Sequence, residues 1–253
     1  MEELRYESGI AGQPLHARLW RRASASQLLV LMPAAVSRES PNRHPAFARW
    51  RWADRFPDTH IVAFADPSMG LSEELRGAWF LHPEVDVLDG IARQVRAIAQ
   101  TLGARSVLIY GSSLGGFGAL ATAALVPSAK ALVEVPQLDF AHWHPGAVAD
   151  VERHVLGMPL EEHRARQPHQ VSVRSRFERA GRIPPYVIVT NVREDGFDEQ
   201  IAFQRWVVDS QLERGNDLGG HELRVIDDVV GHRALGPVPA SALILEQLRA
   251  IAD

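Results

Sequence analysis

The stretch Ser106-Val107-Leu108-Ile109-Tyr110-Gly111-Ser112-Ser113-Leu114-Gly115-Gly116-Phe117-Gly118-Ala119-Leu120 decides how the rest of the chain is read. An apolar, β-branched run leads into a glycine-flanked pair of serines, and an apolar helical pattern follows at once. Gly111-Ser112-Ser113-Leu114-Gly115 is a G-x-S-x-G sequence placed between a strand and a helix, the context in which a serine is forced onto a sharp turn above a sheet. Glycines two positions either side remove Cβ atoms that would collide in so tight a bend. Only Ser113 has a glycine at both flanking positions, so Ser113 is the candidate nucleophile and Ser112 its neighbour. The helix that starts behind it points amide N–H groups and a positive dipole end at the same place, which makes the Leu114 N–H a candidate oxyanion donor. Dinucleotide and phosphate readings of these glycines fail, because they do not form G-x-G-x-x-G and no Lys-Ser or Lys-Thr follows.

Working outward, apolar runs at Leu15–Trp20, Leu28–Met32, Ile61–Phe64, Val107–Tyr110, Ala131–Val135, Tyr186–Thr190 and Glu222–Ile226 read as strands. Helical spacing appears at Ala46–Phe56, Val85–Leu102 (closed by Gly103), Phe117–Val126, Ile201–Leu212 and Ala240–Ile251. This alternation predicts an α/β fold with a mostly parallel sheet covered on both faces. Residues 140–183, rich in His, Arg, Pro and Glu, interrupt the rhythm and are expected to be a lid inserted within a single domain spanning 1–253. Trp50, Trp52, Trp79 and Phe80 are expected in the core or a pocket wall.

A serine hydroxyl needs a base, and the base needs a carboxylate to hold its tautomer. His232, in Gly231-His232-Arg233 after the last strand, falls at the same sheet edge as Ser113, whereas His221 stands at the opposite end of that strand. The loop after Tyr186–Thr190 offers Glu194, Asp195 and Asp198. Asp195, followed by Gly196, is selected as the acid; Asp198 reads as a helix N-cap, and Asp139 is the outside candidate. A second oxyanion donor is expected from Ala34 or Ala35, small residues after Met32. His142-Trp143-His144 lacks a third ligand at recognisable spacing and reads as lid or surface rather than metal site; no metal or cofactor is expected.

These residues resemble the α/β-hydrolase superfamily over nearly the whole chain. The resemblance implies acyl transfer to water through an acyl-serine, with an ester, thioester or acylated sugar as substrate. Asp66-Pro67-Ser68, Gly77-Ala78-Trp79-Phe80, Gly111–Leu120, Asn191–Asp195 and Gly231-His232 are similar to hydrolase-like proteins of bacterial surface-polysaccharide synthesis. The same triad would serve an acyltransferase, and a purely binding role on this fold would leave the triad incomplete. No His-Gly-Gly-Gly loop of the lipase type is present.

Composition narrows the partners. The chain has 253 residues, 46% of them hydrophobic and 23% charged, with a formal net charge of −4 and no long basic run, which argues against nucleic acid or anionic membrane. The absence of cysteine removes disulfides and thiolate sites and suits a reducing compartment. No signal-peptide pattern and no run of about 20 apolar residues is seen, so a cytoplasmic protein without a membrane span is expected.

Overall fold

The structure is a computed structural model that describes residues 1–37 and 44–252. Its strands are β1 (Glu2–Ile10), β2 (Gln13–Trp20), β3 (Gln27–Leu31), β4 (His60–Phe64), β5 (Ser106–Ser112), β6 (Ala129–Glu134), β7 (Tyr186–Asn191) and β8 (His221–Ile226). Its helices are α1 (Val87–Leu102), α2 (Leu114–Leu125), α3 (Pro145–Val151), α4 (Leu160–Arg166), α5 (Pro168–Val171), α6 (Val173–Ala180), α7 (Phe197–Glu213) and α8 (Pro237–Ala250). The strands form one eight-stranded sheet in the order β1-β2-β4-β3-β5-β6-β7-β8. β2 runs antiparallel to both β1 and β4, and every other pairing is parallel.

Side-chain alternation along the central strands divides the core in two. Leu28, Val30, Val107, Ile109, Ala131 and Val133 pack with α1, α2, α6 and α7 on one face. Leu29, Leu31, Leu108, Leu132, Val187 and Val189 pack with α8 and the 3₁₀ turn Trp50–Arg55 on the other. Burial on both faces is why these strands read as continuous apolar runs. At roughly 1.5–3 kcal/mol for each large aliphatic side chain removed from water, this double core is the main force holding the sheet between its helices.

Two elements depart from the sequence expectation, and a third segment is built as follows. β1 is absent from the expected strands: its polar, charge-rich alternation belongs to an edge strand hydrogen-bonded to β2 along one edge, with Leu4 and Tyr6 packed on the core and Arg18 of β2 pairing with Glu3 at 3.0 Å. The helix expected over Ala46–Phe56 shrinks to the 3₁₀ turn Trp50–Arg55, with Phe56 buried behind it. Residues 140–183, the segment expected to be an inserted lid, form α3 to α6 and a π turn at Glu152–Leu156. Val171, Val173 and Phe177 are fully buried in the main core, and the buried Arg176 forms a two-pronged pair with Asp86 at 2.7 and 3.0 Å.

Parallel strands end on the same side. The carboxyl ends of β3, β5, β6, β7 and β8 therefore bring Ala34, Ser113, Gln137, Glu194 and His232 to one edge of the sheet, where ligands of open α/β sheets bind.

Candidate active site

Ser113 lies between β5 and α2 with φ 53° and ψ −123°, a conformation that costs a non-glycine residue roughly 1–3 kcal/mol. The turn survives because its surroundings leave the backbone nowhere else to go. A Cβ on Gly111 would lie 2.0 Å from the Gly115 carbonyl oxygen, and one on Gly115 would lie 2.6 Å from the Pro33 carbonyl oxygen. Gly116 and Gly118 press against Pro136 and the Phe80 ring in the same way. All four glycines serve close approach; the left-handed backbone belongs to the serine. The Ser113 N–H donates to the Glu134 carbonyl at 3.0 Å, and its own carbonyl accepts from Gly116 at 2.9 Å.

The Ser113 hydroxyl meets His232 Nε2 at 2.8 Å, and His232 Nδ1 meets Glu194 Oε2 at 2.6 Å. The carboxylate on the histidine is thus that of Glu194, one residue before the expected Asp195. The Glu194 N–H donates to the Asn191 carbonyl at 3.0 Å, closing a turn that carries residue 194 back over the sheet edge. Its side chain is 2% exposed, and Gln200 Nε2 holds the second oxygen at 3.1 Å. Asp195 instead lines an adjoining cavity. Asp198 is not the N-cap of α7; Gly196 is, and Asp198 sits in the first turn. Asp139 caps the turn Phe140–His142 and pairs with Arg164 at 2.9 Å.

Side-chain hydrogen bonds and backbone crowding together hold the histidine loop. Fully buried Asn191 donates through Nδ2 to the carbonyls of Asp228 and Gly231 at 2.9 and 3.0 Å, and its Oδ1 accepts from Arg193 and Asp228 N–H groups. Gly231 lies so close to the acid loop that a Cβ there would be 2.1 Å from the Arg193 carbonyl oxygen. Beyond His232, the Leu235 N–H donates to Glu134 Oε2 at 2.6 Å, while Glu134 Oε1 accepts from the Tyr110 hydroxyl at 2.7 Å. Burial pushes the Glu134 carboxyl above the usual range, and these two donors oppose that rise.

A second chain of contacts was not foreseen from sequence. Gln137 Nε2 donates to the Ser113 hydroxyl oxygen at 3.1 Å, and the Trp79 indole N–H donates to Gln137 Oε1. Trp79 and Phe80 both have left-handed backbone, φ 50° and 58°. That turn is pinned by Asp66, which accepts from Phe80 N–H at 2.8 Å and Ser68 N–H at 3.0 Å. Burial pushes the Asp66 carboxyl up to about 6 against the pull of those amides. Asp66-Pro67-Ser68 and Gly77–Phe80 stand out in the sequence, but no spacing rule connects them to Ser113.

The Leu114 N–H, first in α2, has no partner within its own helix by construction. Leu114 and Ala34 wall the same small cavity; Ala35 is exposed and does not line it. On the other side of the serine, Trp143 lies with its ring 5.0 Å from that of His232 and lines a cavity of about 290 Å³ with Gln137 and Glu194. His142, read from sequence as lid or surface, bonds Glu199 at 2.9 Å in that cavity wall, and burial raises the Glu199 carboxyl. Among the described residues no group of His, Asp or Glu is arranged to hold a metal ion, and no helix is long and apolar enough to cross a membrane.

No family model and no curated protein matches the chain in sequence. Solved structures do match in shape. The capsule O-acetyltransferase of Neisseria meningitidis serogroup A is 13% identical with a TM-score of 0.65, covering 96% of each chain. A fluorophosphonate-binding serine hydrolase of Staphylococcus aureus is 13% identical with a TM-score of 0.58, over 100% of this chain and 98% of that one. An acetyl xylan esterase from Paenibacillus sp. R4 is 18% identical with a TM-score of 0.57, over 99% of this chain and 82% of that one. The chain has the α/β-hydrolase fold.

Proposed function

We propose that this protein is a serine hydrolase that cleaves a carboxylic ester or thioester through an acyl-serine intermediate. The observation that carries the reading is the unbroken relay from the Ser113 hydroxyl to His232 to Glu194, at 2.8 and 2.6 Å. With Nδ1–H donated to Glu194, His232 Nε2 is free to accept the serine proton as Oγ attacks the carbonyl carbon. The Gln137 amide occupies a lone pair of Oγ and thereby turns the hydroxyl hydrogen toward His232. Charge developing on the carbonyl oxygen is met by the N–H groups of Leu114 and Ala34. His232 then returns the proton to the leaving group, and water, activated by the same nitrogen, releases the acid. Glu194, in place of Asp195, is the orienting carboxylate in this scheme. The part of the 140–183 segment that carries Trp143 serves as the lid over the relay.

Acyl transfer to a hydroxyl acceptor is the second reading. It is favoured by the roomy cavity beside His232 and by the likeness to a capsule O-acetyltransferase. A purely binding role is disfavoured by the hydrogen-bond distances of the relay.

A fluorophosphonate probe is expected to label Ser113, and Ser113→Ala to abolish both labelling and p-nitrophenyl acetate hydrolysis. Labelling unchanged in Ser113→Ala would overturn the assignment.

A further inference from the structure

Two cavities of different size adjoin the residues around Ser113, one walled by Leu114 and the other by Gln137 and Glu194. His232 must hand its proton to the departing oxygen, so the alcohol half of an ester lies on the His232 side and the acyl half lies opposite.

On the His232 side the cavity holds about 290 Å³. Trp143 forms an aromatic wall, and Asp195 supplies a carboxylate beside those of Asp139 and Glu199, which pair with Arg164 and His142, with no Lys or Arg among the lining residues. Arg164, which bonds Asp139 from the neighbouring cleft, is committed to that ion pair at 2.9 Å. Carboxylates accept strong hydrogen bonds from hydroxyls, an aromatic face packs against the C–H face of a ring, and a phosphate there would meet like charge. The separate cavity shared by Leu114 and Ala34 is mostly apolar, closed in by Pro33, Val36, Met69 and Ala78 with His44 and Asp66 also in its wall, and leaves only about 10 Å³, about the room one water needs. A methyl group fills it. Gly77 seals the same wall, since a Cβ there would lie 2.6 Å from Leu114 Cδ1.

We propose that the substrate is an acetyl ester of an uncharged, polyhydroxylated alcohol of the sugar type, held by the narrow apolar cavity at its acyl end and by the Trp143–Glu199 cavity at its alcohol end. This rests on Ser113 being the nucleophile.

The test is a comparison of kcat/KM for four esters: p-nitrophenyl acetate, p-nitrophenyl butyrate, an O-acetylated methyl glucoside, and the same glucoside carrying a 6-phosphate. Acetate is expected to exceed butyrate by about tenfold or more. The neutral glucoside is expected to exceed its phosphate by a similar factor, about tenfold. Met69→Ala, or Val36→Ala should the first variant fail to fold, raises the butyrate-to-acetate ratio at least severalfold. Glu199→Gln, of equal size, narrows the penalty on the phosphate. Equal rates for acetate and butyrate, or for the neutral and phosphorylated glucosides, would overturn the inference and leave the hydrolase reading standing. A protein that turns over none of the four and resists fluorophosphonate would overturn both.

Discussion

The serine turn and the acid–histidine loops meet at one set of hydrogen bonds, yet they rest on different balances of crowding and hydrogen bonding. Around Ser113 the restraint is steric: backbone oxygens of Gly115 and Pro33 stand where side chains would otherwise be. Around Glu194 and His232 crowding at Gly231 is joined by polar ties: Asn191 threads three carbonyls of the 228–231 loop, and Glu134 anchors Leu235 just beyond. Crowded backbone admits one residue type and leaves a mark in sequence. A loop tied by hydrogen bonds can place any of several neighbouring side chains on target, and the identity of that side chain is set by the turn geometry.

The comparison breaks most visibly at Gly111. Alanine there puts a Cβ against an unyielding carbonyl, so Gly111→Ala is expected to lower the melting temperature by on the order of 10 °C and abolish hydrolysis together. A variant that melts like wild type would show the turn to be softer than its contacts imply. Asn191→Ala should separate the two properties. Unpairing buried backbone groups costs about 2–3 kcal/mol, while displacement of the His232 loop lowers kcat/KM by about 10–100-fold. Full activity in that variant would mean the loop holds itself. The smallest effect concerns the Trp79–Phe80 turn. Asp66 titrates at about 6 in the folded protein against 3.8 ordinarily, so between those values the folded state binds the extra proton. Its contribution to stability falls as pH rises from about 4 to about 6, by on the order of 2–3 kcal/mol. Denaturant titrations across that range should show Asp66→Asn gaining on wild type as pH rises. A constant difference would contradict the burial argument.

Much of the fold was legible because strands buried on both faces and helices ending at Gly103 or Pro127 carry strong signals. β1 was not, because Glu2, Glu3, Arg5 and Glu7 lie along a strand with one half-open face, and its pairing with β2 rather than its composition makes it a strand. Ser113 and His232 follow from the glycines and from the order of the strands. Which of Glu194 and Asp195 bonds His232 did not, since it depends on how the chain turns after Asn191, and Gly196 points to Asp195 rather than to the carboxylate that meets the ring. Gln137 and Trp79 were invisible for a different reason. The Gln137–Ser113 bond spans 24 residues of sequence and the Trp79–Gln137 bond 58, and both exist only once β6 and the Gly77–Phe80 loop arrive at the same edge.

The central claim is that a Ser113–His232–Glu194 relay performs the chemistry, and it is tested most directly by kcat/KM for p-nitrophenyl acetate in Glu194→Gln and Asp195→Asn. Glutamine keeps the shape of Glu194 but not the charge that holds and stabilises the protonated histidine, so a loss of about 10²–10⁴-fold is expected. Asp195→Asn is expected to stay within about threefold of wild type, because no bond joins Asp195 to His232 and this substrate has no sugar hydroxyls to reach it. The reverse order of losses, or equal activity in both variants, would contradict the account.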